Sequence, residues 1–234
     1  MYLYETHLHT YPVSSCADKD ASVRESLEFY KSIGYAGVFI TNHFLDGNIA
    51  ESVRGLPYED RIEFYFSACE EGEKIGSEIG LAVFPGIEMT YEGTDFLAYG
   101  IDKAWCLAHK DMDKMRKSEL LRLMMEDGAL LVHAHPFREA SFIDHLRLYP
   151  RLVHGVEIFN AARKDFENEA AAQYCKYYDL IPFAGSDNHK AGRKVKFGGI
   201  ATDKPLESLQ EFIDLFLARK TKPFIKDENG VRVL

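Results

Sequence analysis

Short apolar runs alternate with longer amphipathic segments along the chain from residue 2 onward. The short runs carry the apolar and β-branched residues typical of strands, and the longer segments have the spacing of helices. Strands are predicted at residues 3–9, 37–41, 82–88, 95–101, 129–133, 155–159 and 181–184. Helices are predicted near residues 22–33, 58–79, 112–126, 166–178 and 206–219. This alternation is typical of a parallel sheet covered by helices, and about seven strands in 234 residues favour a barrel.

Glycine and proline mark the joints between these elements. Gly93, within the segment 90–94, predicts a tight turn that joins two strands directly, so one antiparallel pair is expected. The apolar piece at 223–226 is expected to be peripheral. A chain of 234 residues with no linker, low-complexity segment or internal repeat fits one domain, and we assign residues 1–234 to a single domain.

The composition is that of an ordinary globular protein, with 46% hydrophobic and 28% charged residues. A formal net charge of -9 argues against stable binding to duplex nucleic acid, whereas a local cationic pocket for a small anionic substrate is compatible with it. The chain contains no apolar run of the length that a membrane span needs, and its first residues lack the features of a signal peptide. We therefore expect a cytoplasmic protein without a membrane partner.

Histidines are concentrated where the predicted strands end. Six of the nine histidines occupy such positions: His7, His9, His43, His133, His135 and His189. Residues two apart on a strand face the same way, so the pairs at 7 and 9 and at 133 and 135 could each hold one metal ion. Catalytic residues of α/β barrels project from the carboxyl ends of several strands, as a shared metal centre requires. Imidazole suits zinc, iron and manganese, and carboxylates such as Glu88 and Asp187 can bridge two cations.

Five short motifs along the chain carry a family resemblance. They are THLHT at 6–10, ITNH at 40–43, GIE at 86–88, AHP at 134–136 and GSDNH at 185–189. In these motifs and in their order, the chain resembles the PHP superfamily, named for polymerase and histidinol phosphatase. The resemblance implies a distorted (β/α)7 TIM-like barrel that holds two or three divalent ions of zinc, manganese or iron at the carboxyl ends of its strands. Hydrolysis of phosphoesters is the reaction that it implies.

The resemblance also implies which residues bind the metals. The ligands would be His7, His9, Glu88 and Asp187 for the first ion, Glu88 and His135 for the second, and His43 and His189 for the third. His133 is interpreted as a lining residue, because the ligand of the family is the histidine directly before proline.

Three positions depart from the pattern of the family. Asn42 stands where members commonly have an aspartate, and we expect it to orient His43 through a hydrogen bond. Asp95 stands where many members place a histidine, and an oxygen ligand there would shift the preference towards manganese or iron. Cys16 lies where members often supply an aspartate or histidine, and it is either a ligand or a small buried residue.

The predicted mechanism is in-line attack by a metal-bridging hydroxide, since clustered cations lower the pKa of a bound water towards about 7. Asp187 and His189 are the predicted catalytic residues, and a proton from an acid such as His189 or a bound water would help the alkoxide to leave. Arg138 is expected to bind two phosphate oxygens through its guanidinium group. Arg163 and Asn160 are further candidates for contact with substrate.

The leading hypothesis is a stand-alone hydrolase of phosphoric ester bonds that acts on a small phosphomonoester or nucleotide phosphate. A histidinol phosphate phosphatase, a nucleotide phosphatase, a short-oligonucleotide exonuclease and a phosphotyrosine phosphatase share the core motifs. Two alternatives come from other classes of function. One is an amidohydrolase-like metal hydrolase, because HxH on a first barrel strand occurs there too, and the other is an inactive metal-binding barrel that serves as an interaction module.

Overall fold

Eleven strands and six α-helices are described by the computed structural model, which covers residues 1–192 and 195–234. The strands are β1 (Tyr2–Leu8), β2 (Gly37–Ile40), β3 (Ala82–Pro85), β4 (Ile87–Tyr91), β5 (Thr94–Tyr99), β6 (Leu130–Ala134), β7 (Gly155–Asn160), β8 (Ile181–Gly185), β9 (Phe197–Thr202), β10 (Lys222–Asp227) and β11 (Gly230–Val233). The helices are α1 (Val23–Ser32), α2 (Tyr58–Ile79), α3 (Lys103–Ala108), α4 (Lys117–Glu126), α5 (Asp165–Tyr177) and α6 (Leu209–Leu217). None of the described helices is both long and apolar enough to cross a bilayer.

The strands form two sheets. One has the order β11-β10-β9-β1-β2-β3 and the other the order β4-β5-β6-β7-β8. Strands β1, β2 and β3 are parallel, and so are β6, β7 and β8, whereas β5 is antiparallel to both of its neighbours. The carboxyl ends of β1 and β2 therefore lie at one end of the molecule with those of β4, β6, β7 and β8, because parallel bridges align the two sheets.

Two isolated parallel bridges mark the seams between the sheets. One joins His43 to Glu88 beyond the end of β2, and the other joins Leu8 to Asn188 beyond the end of β8. In the described part of the chain no continuous ladder crosses either seam, so the fold is a mixed α/β arrangement of two sheets. The closed (β/α)7 barrel stays a prediction.

The predicted strand at 82–88 is two strands in different sheets. The chain bends at Gly86, where a Cβ atom would lie 2.7 Å from Cγ2 of Thr41. The predicted turn at 90–94 is confirmed, since Glu92 and Gly93 both have positive φ and connect β4 to an antiparallel β5.

Strand β9 is a strand that the sequence pattern did not predict, because two of its residues are glycines. Its two glycines allow other backbone segments to approach closely. A Cβ atom on Gly198 would lie 2.5 Å from the carbonyl oxygen of Gly185, and one on Gly199 would lie 2.1 Å from that of Tyr4. A pair of glycines that weakens the strand pattern thus lets β9 pack against β1 and approach β8.

An aromatic core lies between the two sheets, below the histidine-bearing strand ends. Phe212 of α6 lies 4.5 Å from Phe39 of β2 and 5.3 Å from Tyr99 of β5, measured between ring centroids. All three side chains are buried completely. Because large aromatic rings bury much apolar area and pack at fixed distances, this core fixes the separation of the sheets.

We predict that Gly199→Ala destabilises the protein by about 2–4 kcal/mol, because the new Cβ would clash with the Tyr4 carbonyl at a position with φ of +153°. Urea unfolding followed by circular dichroism measures the change. Gly55→Ala is the matched control, since a Cβ there meets no atom within 4 Å. Equal stability of the two variants would contradict the close approach of β9 and β1.

Candidate metal centre

Eight predicted site residues meet at one end of the molecule, at the carboxyl ends of β1, β2, β6 and β8 and near the amino ends of β4 and β5. They are His7 in β1, His9 just after it, His43 after β2, Glu88 in β4, Asp95 in β5, His135 after β6, and Asp187 and His189 after β8. All but His189 are buried, and the side chain of His189 is 24% exposed. The cluster therefore opens to solvent on the side of His189.

The carboxylate of Glu88 lies at the centre of this cluster. Its Oε1 is 3.1 Å from Nε2 of His7 and 3.4 Å from Nε2 of His135. Its Oε2 is 2.7 Å from Nδ1 of His43 and 3.3 Å from Nε2 of His9. One carboxylate thus faces four imidazoles, which is the arrangement that a bridging ligand requires.

Asp187 is the second carboxylate shared by several imidazoles. Its Oδ1 lies 3.4 Å from Nδ1 of His189, 3.5 Å from Nε2 of His9 and 3.7 Å from Nε2 of His7. Its Oδ2 lies 3.8 Å from Nε2 of His135. Asp187 and Glu88 therefore approach the imidazoles of His7 and His9 from two sides.

The cluster contains four overlapping sets of three residues, and the ligand atoms within each set all lie within 4.8 Å of one another. The sets are His7, His9 and Glu88; His7, His135 and Asp187; Glu88, Asp95 and His135; and His9, His43 and His189. Several of these buried atoms form no hydrogen bond to any group outside the cluster among the described residues: Nε2 of His7 and His9, Nδ1 of His43, and both carboxylate oxygens of Glu88. Buried polar atoms are normally satisfied, so these residues fit divalent cations as their missing partners.

Glu157 fixes the orientation of two of the histidines. Its Oε1 lies 2.9 Å from Nδ1 of His7, and its Oε2 accepts hydrogen bonds from the backbone N–H of His135 at 3.0 Å and from Nδ2 of Asn160 at 2.9 Å. An Nδ1–H donated to this carboxylate leaves the Nε2 lone pair of His7 for a metal. No role at the site was predicted for Glu157 from the sequence, although a charged residue within the apolar run of β7 was a usable signal.

Ser14 orients the ring of His9 as Glu157 orients that of His7, and no sequence motif pointed to this role. Its hydroxyl oxygen lies 3.0 Å from Nδ1 of His9, accepts the backbone N–H of His43 at 3.0 Å, and donates to Oδ1 of Asn42 at 2.9 Å. Asn42 was expected to orient His43 through a hydrogen bond, but among the described residues its side chain reaches His43 only through Ser14. The amide of Asn42 instead contacts Ser14 and Thr10.

Charge in the cluster is balanced between carboxylates and imidazoles. Burial lowers the pKa of His7, but the neighbouring carboxylates, with Glu157 the strongest, raise it well above its ordinary value. Burial raises the pKa of Glu88, but the imidazoles around it, with His43 the strongest, bring it well below its ordinary value. Ionised carboxylates beside His7 and His43, whose pKa values are both raised, form a state in which divalent cations can replace protons.

His133 and His135 were expected on one face, and the structure separates them. His133 lies in β6, where its Nε2 is 2.9 Å from the hydroxyl of Thr94 and its ring stacks on Phe96. Burial lowers the pKa of His133 to about 3. Strand β6 ends at Ala134, and a φ of +26° at His135 breaks the alternation and turns this side chain towards the cluster.

Asp95, which stands where many members of the family place a histidine, lies within the cluster. Its Oδ2 is 3.8 Å from Nε2 of His135 and 3.1 Å from Nη1 of Arg138. Burial raises the pKa of Asp95, as does the nearby carboxylate of Glu88. Arg138 is thus held beside the cluster by an ion pair, with its side chain 19% exposed.

Cys16 is exposed at the rim of the cluster, so the alternative of a small buried residue is wrong. Partial burial of its thiol raises its pKa, but hydrogen bonds to His189 and His43 lower it to about 6. Within the described residues, Cys16 belongs to none of the four sets of ligand atoms.

The two remaining substrate candidates differ in position. Asn160 is completely buried, and its Nδ2 lies 3.4 Å from Oδ2 of Asp187 as well as bonding to Glu157, so it positions carboxylates in this structure. Arg163 lies in the turn after β7, where its backbone N–H donates to the carbonyl of Asn160. Among the described residues Arg163 forms no ion pair, and its contact with substrate stays a prediction.

Solved structures share this arrangement of strands and helices. A two-domain protein from Bacteroides vulgatus ATCC 8482, described as containing a predicted PHP-like metal-dependent phosphoesterase, matches with a TM-score of 0.67 at 16% identity. The chain shares its fold with this PHP-like protein. The match covers 95% of this chain and 64% of that chain, so the chain spans less than two thirds of the length of that protein.

Two further solved structures are similar to this chain in fold. PsfC from Pseudomonas syringae PB-5123 matches with a TM-score of 0.61 at 18% identity, over 91% of this chain and 88% of that chain. The lesion-specific endonuclease Q from Pyrococcus furiosus matches with a TM-score of 0.58 at 12% identity, over 99% of this chain and 57% of that chain. No protein-family model matches the chain, and no curated protein matches it by sequence.

We predict that Glu157→Gln weakens metal binding by about 10–100-fold, because an amide no longer enforces the tautomer of His7 that leaves Nε2 free. Competition with a zinc-binding chromophore measures the affinity, and circular dichroism checks the fold. Glu169→Gln, an exposed change of the same kind on α5, is the control. An unchanged affinity in Glu157→Gln would show that Glu157 does not position a metal ligand.

Proposed function

We propose that this protein is a metal-dependent phosphoesterase that hydrolyses small phosphomonoesters, including nucleotide phosphates, with two or three divalent cations. The observation that carries the proposal is the convergence of four imidazoles on the buried carboxylate of Glu88. The PHP fold and an arginine beside the cluster support it. The cations would supply a water of lowered pKa and would neutralise the phosphate oxygens in the transition state.

The side chains of the protein would prepare the site in two ways. Glu157 and Ser14 hold His7 and His9 by their Nδ1 atoms, so that both Nε2 atoms point towards Glu88 and Asp187. This fixed geometry leaves little reorganisation for the reaction itself, and preorganised charge is the largest source of catalysis in many enzymes. Glu88 would then hold two cations at a fixed separation.

Arg138 and His189 are proposed to act on the substrate. The guanidinium of Arg138 is oriented by Asp95 through one of its nitrogens, and it would bind non-bridging phosphate oxygens with the others. His189 is the exposed histidine of the cluster and lies 3.4 Å from Asp187, so it can reach a leaving-group oxygen at the rim. We propose it as the proton donor to the departing alkoxide.

Hydrolysis of p-nitrophenyl phosphate is the first test of this proposal. We expect turnover by protein loaded with zinc, manganese or iron, loss of turnover on chelation, and recovery when metal is restored. Asp187→Asn is expected to lower kcat at least 100-fold, because the carboxylate between His7, His9 and His189 would lose its charge. Asp214→Asn, an exposed change on α6, is the control and is expected to keep full activity.

Other outcomes of the same assay separate the alternatives. Metal-loaded protein that hydrolyses neither p-nitrophenyl phosphate nor nucleoside monophosphates would overturn the phosphoesterase proposal. Turnover of cyclic amides by that protein would favour an amidohydrolase-like hydrolase, and full metal binding without any turnover would favour an interaction module.

We predict that Arg138→Ala lowers kcat/KM for p-nitrophenyl phosphate by about 10–100-fold, the equivalent of one charged hydrogen bond of about 1.5–3 kcal/mol. Arg138→Lys is expected to restore only part of this loss, since an ammonium group cannot bind two oxygens side by side. Arg122→Ala on the exposed face of α4 is the control. An unchanged kcat/KM in Arg138→Ala would remove Arg138 from the substrate site.

A further inference from the structure

A cavity of about 570 Å³ lies beside the metal centre, on the other side of β4. Side chains alternate along a strand, so Met89 and Tyr91 of β4 face this cavity while Glu88 faces the histidines. Its opposite wall is formed by the segment from Met112 to the start of α4. None of the eight residues of the metal cluster lines it. The cavity is therefore a separate feature at the same end of the molecule.

The inner wall of the cavity is apolar and adaptable. Phe44, Met89 and Met112 line it and are buried, and Met115 and Tyr149 line it and are partly buried. Methionine side chains are flexible and polarisable, so they fit apolar groups of varied shape. A volume of this size is within the range of small-molecule sites.

The rim carries three cationic side chains, and two of them have no acidic partner. Lys117 pairs with Asp46 at 2.6 Å. In the described part of the chain, Arg61 and Arg116 form no ion pair, and the buried Nε of Arg61 has no hydrogen-bond partner. The lining acid Glu92 is paired with Arg147 at 2.7 Å, which leaves Asp113 as the opposing charge. The rim thus keeps an excess of positive charge over an apolar interior.

The cavity is connected to the metal cluster by short stretches of chain. Phe44 follows His43 directly, and Asp46 is two residues further along. Oδ1 of Asp46 accepts the backbone N–H of Thr90 at 3.2 Å. Thr90 is two residues from Glu88 and pairs with Asp95 across the β4–β5 ladder. A ligand in the cavity would therefore contact the segments that hold two of the cluster residues.

We propose that this cavity is a second ligand site, which binds an organic anion made of an apolar, ring-sized body and one acidic group. The body would lie among the methionines and tyrosines, and the acidic group would lie at Arg61 and Arg116. The site is independent of hydrolysis at the metal centre, so the two proposals can fail separately.

Methionine-methyl NMR tests the location of binding directly. The chain has six methionines, of which Met89, Met112 and Met115 line the cavity and Met1, Met124 and Met125 do not. We would titrate 8-anilinonaphthalene-1-sulfonate and, separately, decanoate into ¹³C-methyl-methionine protein, with and without chelator. Saturable shifts of the first three methyl signals, with the other three unmoved, are expected for at least one probe. No saturable shift with either probe, or equal shifts of all six signals, would overturn the proposal.

Two variants with matched controls test the composition of the site. Ser118→Phe places a ring in the cavity, and Arg116→Ala removes a rim charge. Each is expected to weaken binding of the probe that shifts those methyl signals at least fivefold. The controls are Ser77→Phe on the exposed face of α2 and Arg122→Ala on α4, which are expected to bind as the wild type does. Affinities of both test variants within twofold of the wild type would overturn the proposal.

Discussion

The carboxylate of Glu88 is buried among four imidazoles, and its burial determines where the surrounding strands must place their side chains. A buried ionised carboxylate is costly unless positive charge and hydrogen bonds compensate for it. In the protein alone, the imidazoles of His7 and His43, whose pKa values are raised, provide that charge, and in a metal-loaded protein divalent cations would do so. The histidines and Asp187 must therefore reach one small volume from four different strands. This requirement explains why the carboxyl ends of β1, β2, β6 and β8 meet near the start of β4, where Glu88 lies.

The backbone departs from regular geometry at the residues that complete the cluster. His135 and Asp187 both have positive φ, which costs on the order of 1–3 kcal/mol for such residues, and the surroundings must offset that cost. Glu157 contributes at His135, where it accepts the backbone N–H. The seams between the sheets lie in the same region, since the bridge of His43 to Glu88 joins two cluster residues. Irregular backbone and candidate chemistry thus coincide.

Sequence reasoning identified the histidines and acids of the cluster because all of them except Asp95 lie in short motifs at the ends of predicted strands. It did not identify the roles of Glu157 and Ser14, because their contacts depend on tertiary structure. Glu157 contacts His7 from a strand far along the chain, and Ser14 reaches His9 through the irregular loop after β1. Alternation along a strand placed His133 beside His135, and a left-handed residue after the strand separated them. Strand β9 was not predicted either, because the close approach that its glycines allow depends on tertiary packing.

A count of bound metal ions tests directly whether divalent cations replace protons in the Glu88 cluster. Elemental analysis and native mass spectrometry of protein purified without chelator, then loaded with zinc or manganese, give the number of ions per chain. We predict two or three divalent ions per chain in the wild-type protein, and fewer when Glu88 is replaced by glutamine. A wild-type protein that binds less than one ion per chain after loading would contradict this prediction.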